Sequence, residues 1–183
     1  MNLWFRLLHL LLCSLFRPKL DAPFGVSRLQ FGVLPNDLDS NLHMTNGRYW
    51  NIFDLGRLDL ILRMGLGLGK VALREKWAPI VGAGTIQFRR ELKPFQRFTL
   101  ETRLVGWVGT RGIMEQRVLI GPEQKTATRA LLITGIYDRR ARQFVGMPQM
   151  MESIGVVAPP SPALSAAAEA LLAADLALKQ DHD

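Results

Sequence analysis

The residues able to do chemistry in this chain of 183 residues are concentrated between positions 36 and 49. Two carboxylates, three asparagines, one histidine and one tyrosine stand in that window, although 48% of the chain is hydrophobic. A carboxylate can act as a nucleophile or take a proton from water, and a histidine can share proton transfer near neutral pH. The window therefore predicts a site of nucleophilic or general acid–base chemistry.

A helix must position this window, because the residues that follow it have the clearest helical pattern in the chain. Apolar residues recur there every three or four positions, which predicts one helix over 46–64 with Thr45 or Asn46 as its cap. The predicted buried stripe consists of Tyr49, Ile52, Phe53, Gly56, Leu60 and Met64. A helix N-terminus carries unpaired N–H groups and a positive partial charge, so it can stabilise a developing oxyanion.

Strand patterns occupy most of the remaining central sequence. Alternating apolar and polar residues predict strands over 24–34, 79–92, 97–108, 113–120 and 125–137. The last four strands, joined by short turns, predict an antiparallel meander that wraps the long helix. The glycines at 65–69 before Lys70 follow a helix and have the wrong spacing for a phosphate loop, so we interpret them as a helix C-cap and turn. The predicted fold class is α+β.

Both ends of the chain differ from the centre. We divide the sequence into an apolar segment (1–20), a central domain (21–155) and a linker with a C-terminal helix (156–183) that packs through Leu164, Leu171 and Leu172. Residues 1–16 are too few to span a bilayer and have no signal-peptide cleavage pattern. Two interpretations stay open for residues 1–18: a helix packed on protein, or an interfacial helix that makes peripheral membrane contact.

In the membrane interpretation, Trp4 and Phe5 lie in lipid, and the basic residues of this segment lie near headgroups. Those basic residues are Arg6, Arg17 and Lys19.

Composition narrows the function classes. The net charge of +7 suggests an anionic partner, but the sequence has no dense Lys/Arg block or aromatic–basic repeat, which argues against nucleic acid. A single cysteine, Cys13, excludes an internal disulfide framework and a multi-cysteine metal site. We expect no metal and no cofactor, and a cytoplasmic location.

The stretch Asp37-Leu-Asp39-Ser-Asn41-Leu-His43-Met-Thr-Asn46-Gly-Arg-Tyr49 resembles the entry to the central helix of hotdog-fold acyl thioesterases. It is similar to the D-x-D of the 4-hydroxybenzoyl-CoA thioesterase group and to the D-L-D-x-N-x-H-x-N-N-x-x-Y pattern of plant acyl-ACP thioesterases. It also resembles the thioesterase-superfamily-member-6-like proteins. The resemblance extends over about 24–147 and implies a hotdog fold and hydrolysis of an acyl-CoA or acyl-ACP thioester.

Carried over to this sequence, the resemblance assigns the catalytic carboxylate to Asp39, with Asn41 and His43 as its partners. The backbone N–H groups that polarise the thioester carbonyl fall on Asn46 and Gly47. Two further residues, Asp37 and Tyr49, are assigned supporting roles, and Asp37 is also a candidate helix cap.

The resemblance also implies partners. The phosphates of coenzyme A need cationic groups, for which the candidates are Arg89, Arg90, Arg111, Arg139 and Arg140. Hotdog thioesterases place the site between subunits, so a homodimer or homotetramer is implied. For the acyl chain, Tyr49, Phe53 and Leu60 are candidate lining residues, and a plain core explains them equally well.

Several departures leave the mechanism open. Thr45 stands where the plant pattern has asparagine, and neither the Asn-x-x-Gly-x-x-His-Gly-Gly signature nor a later catalytic Glu or Cys is found. Asp39 can therefore be the nucleophile or the general base to water. Two alternatives to a thioesterase remain: a hotdog (R)-enoyl-CoA hydratase, whose D-x-N-P-x-H motif has one residue more, and a non-catalytic acyl-binding scaffold.

Overall fold

The computed structural model describes residues 2–14, 16–65 and 76–181, which form four α-helices and six β-strands. In chain order these are α1 Asn2–Ser14, β1 Ser27–Gly32, α2 Asn46–Arg63, β2 Trp77–Phe88, β3 Arg97–Val108, β4 Arg111–Ile120, β5 Lys125–Asp138, β6 Gln143–Val145, α3 Met147–Glu152 and α4 Ala166–Gln180. The predicted turn after α2 begins at Gly65, whose φ of 87° suits the residue after a helix C-cap. The rest of that glycine-rich stretch, 66–70, lies outside the described residues.

The strands form one antiparallel sheet in the order β1-β3-β4-β5-β2, and β6 pairs with β5. The predicted four-strand meander is wrong at its first step, because β2 pairs with β5 and not with β3. One side of β3 pairs with β4 and the other with β1, so no edge of β3 is left for β2. The free side of β5 takes β2 instead, and only β3, β4 and β5 form a meander.

Helix α2 lies on the concave face of this sheet. The predicted stripe is buried from Tyr49 to Leu60, with Met64 half-buried at its end. Gly56 lets the helix approach β3 closely: an added Cβ would lie 2.4 Å from Thr102 Oγ1 and 2.6 Å from Leu100 Cδ2. This is the α+β hotdog arrangement that the sequence predicted, and it fixes the N-terminus of α2 at one end of the sheet.

The C-terminal helix covers part of the opposite, convex face. Ala168 and Leu171 pack there against Ile113, Leu131 and Ile133, and the predicted Leu164 and Leu172 join the same cluster. The helix begins at Ala166 because the Ser165 hydroxyl accepts the N–H of Ala168 at 3.4 Å. Strand β6 and helix α3 were not predicted, since three and six residues are too few to establish a periodic pattern.

Helix α1 packs on the protein through the buried Leu10 and through basic side chains. Arg6 pairs with Asp37 at 2.7 Å and Arg17 pairs with Asp59 at 2.9 Å, so both arginines turn inward. The prediction that these two arginines lie near headgroups is therefore wrong, because a buried carboxylate attracts each of them. Among the described residues of this N-terminal segment, the exposed large apolar side chains are Trp4, Phe5, Leu8, Leu12 and Phe16. No helix among the described residues has both the length and the apolar character to cross a bilayer.

Candidate functional site

The segment between β1 and α2 folds back on itself as a short hairpin, which we name the site hairpin (residues 37–45). Thr45 N donates to Asp37 O at 2.9 Å, Leu38 forms a bridge with Met44, and Asp39 N donates to His43 O at 2.8 Å. The tip, 40–42, is exposed, and Leu42 has a φ of 61°. The hairpin therefore brings together Asp39, Asn41 and His43, the three residues to which the sequence resemblance assigned catalysis.

Asp39 is exposed, and its carboxylate is held by backbone groups of the hairpin. Oδ1 accepts the N–H of Asn41 at 2.9 Å and the N–H of His43 at 3.2 Å. These bonds orient the side chain of a residue that is exposed at the surface. An exposed carboxylate in a fixed orientation can attack a carbonyl or activate a water molecule.

His43 is half-buried and contacts a carboxylate from the strand side of the site. Its Nε2 lies 3.0 Å from Glu91 Oε2, in the connection between β2 and β3. Lys93 lies 3.8 Å from the other oxygen of Glu91. Glu91 was not predicted, and no motif could have indicated it because it lies 48 residues after His43 in the chain. Asn41 is exposed at the hairpin tip, where it can contact a ligand or water.

The N-terminus of α2 lies directly after the hairpin. Thr45 occupies the N-cap position, but its side chain makes no capping hydrogen bond. Asn46 and Gly47 are exposed, and a Cβ added to Gly47 would meet nothing within 4 Å. The predicted cap is therefore confirmed in position only. Asn46 and Gly47 stand at the exposed start of α2, whose first amides have no partner within the helix, so an oxyanion can bind there.

Asp37 has the opposite environment to Asp39. Its side chain is fully buried, and Oδ2 accepts Leu34 N at 2.9 Å and Arg6 Nη2 at 2.7 Å. Oδ1 lies 2.9 Å from Arg48 Nε. Its side chain accepts the N–H of Leu34, the N-cap residue of a 3₁₀ turn over Pro35–Asp37, whereas the N-cap position of α2 is held by Thr45. Asp37 thus supports the hairpin by anchoring its base.

Arg6 and Arg48 were both missed by sequence reasoning. Arg6 also donates to Gly32 O at 2.7 Å and lies over the Phe31 ring, so it ties α1 to the end of β1. Arg48 donates to Asn36 O at 2.8 Å. One signal was available: a cation in the first turn of a helix is unfavourable to the helix dipole, so Arg48 needs a nearby anion.

Tyr49 is a core residue beneath the site. Its ring packs edge-on against Phe53 and Phe88, and burial raises the pKa of its phenol, partly opposed by a hydrogen bond with Thr128. Tyr49 therefore supports the site by packing. Phe53 is likewise enclosed in the core cluster around the first half of α2.

The predicted phosphate-binding arginines separate into two groups. Arg89 and Arg90 are exposed and immediately precede Glu91, the contact of His43. Arg111 begins β4 at the far end of the sheet and lies 3.5 Å from Asp175 of α4. Seven residues of strand, about 23 Å, separate it from Val118, which packs near Tyr49. The structure places Arg89 and Arg90, but not Arg111, on the hairpin side of the chain.

Within 2–14, 16–65 and 76–181, no three His, Cys, Asp or Glu side chains converge as a metal site. The groups that the hairpin and the start of α2 present are a carboxylate, an imidazole and the helix amides. These groups are those needed for attack on an activated acyl carbonyl.

The chain is similar in sequence to several known proteins. The chain is 40% identical over 85 residues to Protein THEM6 of Danio rerio, a match that covers 46% of this chain and 41% of that protein. It is 28% identical over 83 residues to Thioesterase poxG of Penicillium oxalicum, covering 39% of this chain and 27% of that one. These matches span less than half the length of either relative.

A solved structure and a family model extend the match. A 4-hydroxybenzoyl-CoA thioesterase mutant complexed with 4-hydroxybenzoyl-CoA shares the fold at a TM-score of 0.63 and 13% identity, covering 70% of this chain and 98% of that one. The family model described as the Thioesterase-like superfamily matches residues 33–155, which include the site hairpin, α2 and the whole sheet apart from β1. The chain therefore belongs to the Thioesterase-like superfamily.

Proposed function

We propose that this protein is an acyl thioesterase that hydrolyses a thioester to a free acid and a thiol. The observation that carries the proposal is the placement of an exposed, oriented carboxylate, Asp39, on a hairpin that leads directly into an uncapped helix N-terminus. Supporting it, the fungal relative is named a thioesterase, and the solved neighbour is a thioesterase with a CoA thioester bound.

The chemistry uses both halves of the site. The thioester carbonyl binds at the Asn46 and Gly47 N–H groups, where charge develops on its oxygen in the transition state. Asp39 either attacks the carbonyl carbon directly or removes a proton from an attacking water. Collapse of the tetrahedral intermediate breaks the C–S bond and expels the thiolate. If water attacks, this step releases the free acid directly. If Asp39 attacks, it leaves an acyl–Asp39 anhydride, which water then hydrolyses to the free acid, and the carboxylate is regenerated. His43, paired with Glu91, can exchange protons with the water or the leaving sulfur.

The test is thiol release from acyl-CoA by wild type and by Asp39→Asn. We expect the variant to lose activity by about a hundredfold or more, because the nucleophile or base is gone. Asp21→Asn, which removes another exposed carboxylate away from the hairpin, is the control and should retain wild-type rates. Wild-type thiol release by Asp39→Asn would remove Asp39 from the mechanism, and hydration of an enoyl-CoA without thiol release would favour the hydratase.

The thiol carrier is either coenzyme A or an acyl carrier protein. Arg89 and Arg90 are placed to meet the phosphates of the carrier beside Glu91, although Arg90 also donates to Thr126 O at 2.7 Å. A double Arg89→Gln, Arg90→Gln variant should raise KM for acyl-CoA with little change in kcat. Arg139→Gln, Arg140→Gln is the matched charge control, because these two predicted candidates follow Asp138, which pairs with Trp77 at the start of β2, whereas Arg89 and Arg90 follow the other end of that strand.

We also propose that the site is completed by a second copy of the chain. The exposed edge of β2, which includes Ile80 and Val81, offers unpaired backbone groups that can extend the sheet across a homodimer, and two dimers would make a homotetramer. Light scattering after size exclusion should give a dimer or tetramer mass. Val81→Lys should shift it toward the monomer, and a monomeric wild type would contradict the proposal.

We also propose a cytoplasmic location, with residues 21–155 as the catalytic domain and with peripheral membrane contact by residues 1–18. Five large apolar side chains of this segment face outward, including Trp4 and Phe5. Lys19 is exposed beside them, whereas Arg6 and Arg17 point inward. Vesicle flotation of wild type against Trp4→Ser, Phe5→Ser tests it; equal flotation of the two proteins would refute it.

A further inference from the structure

The second half of α2 borders an apolar cavity of about 400 Å³. Its walls come from α2, β2, β4, β5 and α3, and three methionines of α3, Met147, Met150 and Met151, form part of the lining. Protein interiors leave few voids of this size, whereas pockets that hold small ligands measure roughly 300–1,000 Å³. The cavity has the size and the lining of a site for an apolar ligand.

One face of α2 runs from the helix N-terminus, past the half-buried Trp50, to this cavity. Positions 47, 50, 54, 58 and 61 follow one another at spacings of three or four, so they share a face. Gly47 begins this face in open space, and Asp54, Leu58 and Ile61 line the cavity. At a rise of 1.5 Å per residue, the cavity starts about 10 Å from Gly47 and continues to about 21 Å.

We infer that the cavity receives the distal part of a long, unbranched, apolar acyl chain whose carbonyl is bound at the N-terminus of α2. The inference rests on the proposed function and names its substrate class. An acetyl group cannot reach a cavity that begins about 10 Å away, whereas a long fatty chain can enter and fill it. Thioether side chains adapt to a flexible chain, which suits the methionine lining contributed by α3.

Polar groups at the cavity wall are already paired. Arg57 is 12% exposed, forms an ion pair with Asp54 and donates to Gln116 Oε1 at 2.8 Å. Gln116 in turn donates to Phe53 O and to Thr102 Oγ1, each at 2.9 Å. Because the guanidinium is balanced by Asp54 and fixed to β4, the wall favours a neutral chain over the carboxylate of a free fatty acid.

The test compares Leu58→Trp, which fills the cavity, with Leu62→Trp, a half-buried leucine one turn later that does not line it. Thiol release is measured with acetyl-, octanoyl- and palmitoyl-CoA. Leu58→Trp should lower kcat/KM for palmitoyl-CoA by roughly tenfold or more and leave acetyl-CoA unchanged, because a filled pocket excludes only the long chain. Leu62→Trp should resemble wild type with all three. Equal losses for every chain length in Leu58→Trp, or no loss with palmitoyl-CoA, would overturn the inference.

A binding measurement separates failure of this inference from failure of the proposed function. If wild type hydrolyses no acyl-CoA, binding of palmitoyl-CoA to wild type and to both variants is measured by calorimetry, with free palmitate as the second arm. Binding of palmitoyl-CoA that Leu58→Trp alone abolishes supports the cavity as an acyl site without catalysis. Absence of binding to wild type, or tighter binding of free palmitate than of palmitoyl-CoA, overturns it.

Discussion

Asp37 and Asp39 are two residues apart, yet the fold gives them opposite environments. Asp37 is buried and contacts two arginines and a backbone N–H. Asp39 is exposed and accepts only backbone N–H groups of its own hairpin. The difference shows how one short loop holds two carboxylates in different roles: a buried carboxylate paired with two half-buried arginines anchors the hairpin, and the carboxylate two residues later stays exposed.

The largest predicted effect comes from breaking the buried half of this pair. Asp37→Asn leaves the guanidinium groups of Arg6 and Arg48 without their anion, so the free energy of unfolding should fall by about 3 kcal/mol. Asp39→Asn should change it by less than about 0.5 kcal/mol, because the site is at the surface. Urea denaturation measures both. Equal losses in the two variants would show that the burial difference has no energetic consequence.

The second prediction concerns the amide groups at the start of α2, directly after the site hairpin. Asn46→Pro removes one N–H from the first turn of α2, a position that accepts proline, and Thr45 already has the φ of −61° and ψ of 143° that suit a residue before proline. Thiol release should fall by about ten- to a hundredfold while the melting temperature is kept.

Asn46→Ala is the matched control for this prediction, since it removes the side chain and keeps the N–H. It should retain near-wild-type activity. If Asn46→Ala loses as much activity as Asn46→Pro, the side chain and not the amide is the functional group.

The third prediction tests whether α1 contributes to the hairpin. Arg6→Met removes the bond from Arg6 to Asp37 and the one to Gly32 O, and should lower the free energy of unfolding by about 1–2 kcal/mol. Hydrogen exchange should accelerate at residues 37–45. Leu12→Ala, on the exposed side of α1, is the control. If Leu12→Ala accelerates hydrogen exchange at residues 37–45 as much as Arg6→Met does, the effect comes from a general loosening of α1.

The smallest predicted effect concerns Glu115. Like Asp37, this carboxylate is held by two arginines, but here they lie on the sheet surface. Burial alone would raise the pKa of Glu115, but hydrogen bonds from Arg103 and Arg129 outweigh it and lower that pKa. The stabilisation is therefore present above the ordinary glutamate pKa of about 4.3 and is lost as pH falls through the lower folded pKa. Because both arginines are more than 40% exposed, Glu115→Gln should cost only about 1 kcal/mol at neutral pH.

Below about pH 4 the cost of Glu115→Gln should shrink, since the wild-type glutamate is then losing its charge as well. Denaturation curves at neutral and acidic pH measure this difference. A cost that stays constant across the range would mean that the two ion pairs add nothing to folding.

Local pattern was sufficient to predict most elements of the fold. The helix over 46–64 is observed as Asn46–Arg63, and the strands from 97 to 137 are observed within one or two residues of their predicted ends, because spacing and turn residues are local properties. The strand that pairs with β2 could not be predicted from local pattern. Strand pairing depends on which sheet edge is free after the other strands have paired, and that is a property of the whole chain.

The same division applies to the candidate site. The window from Asp37 to Tyr49 could be found from residue types alone, and the resemblance to thioesterases depended on it. Arg6 and Glu91, which contact Asp37 and His43, could not be found, since they lie 31 and 48 residues away in segments without a motif. Long-range ion pairs leave no periodic signal in a sequence.

The sequence by itself determined the set of secondary-structure elements and the polar window before α2. Hydrophobic spacing, turn chemistry and residue types depend only on residues that are close together in the chain. Only the tertiary structure decided that Asp37 is buried among arginines, that Asp39 is exposed, and that a cavity opens beside the second half of α2. Burial is fixed by what packs on a residue, and the segments that pack here come from distant parts of the chain.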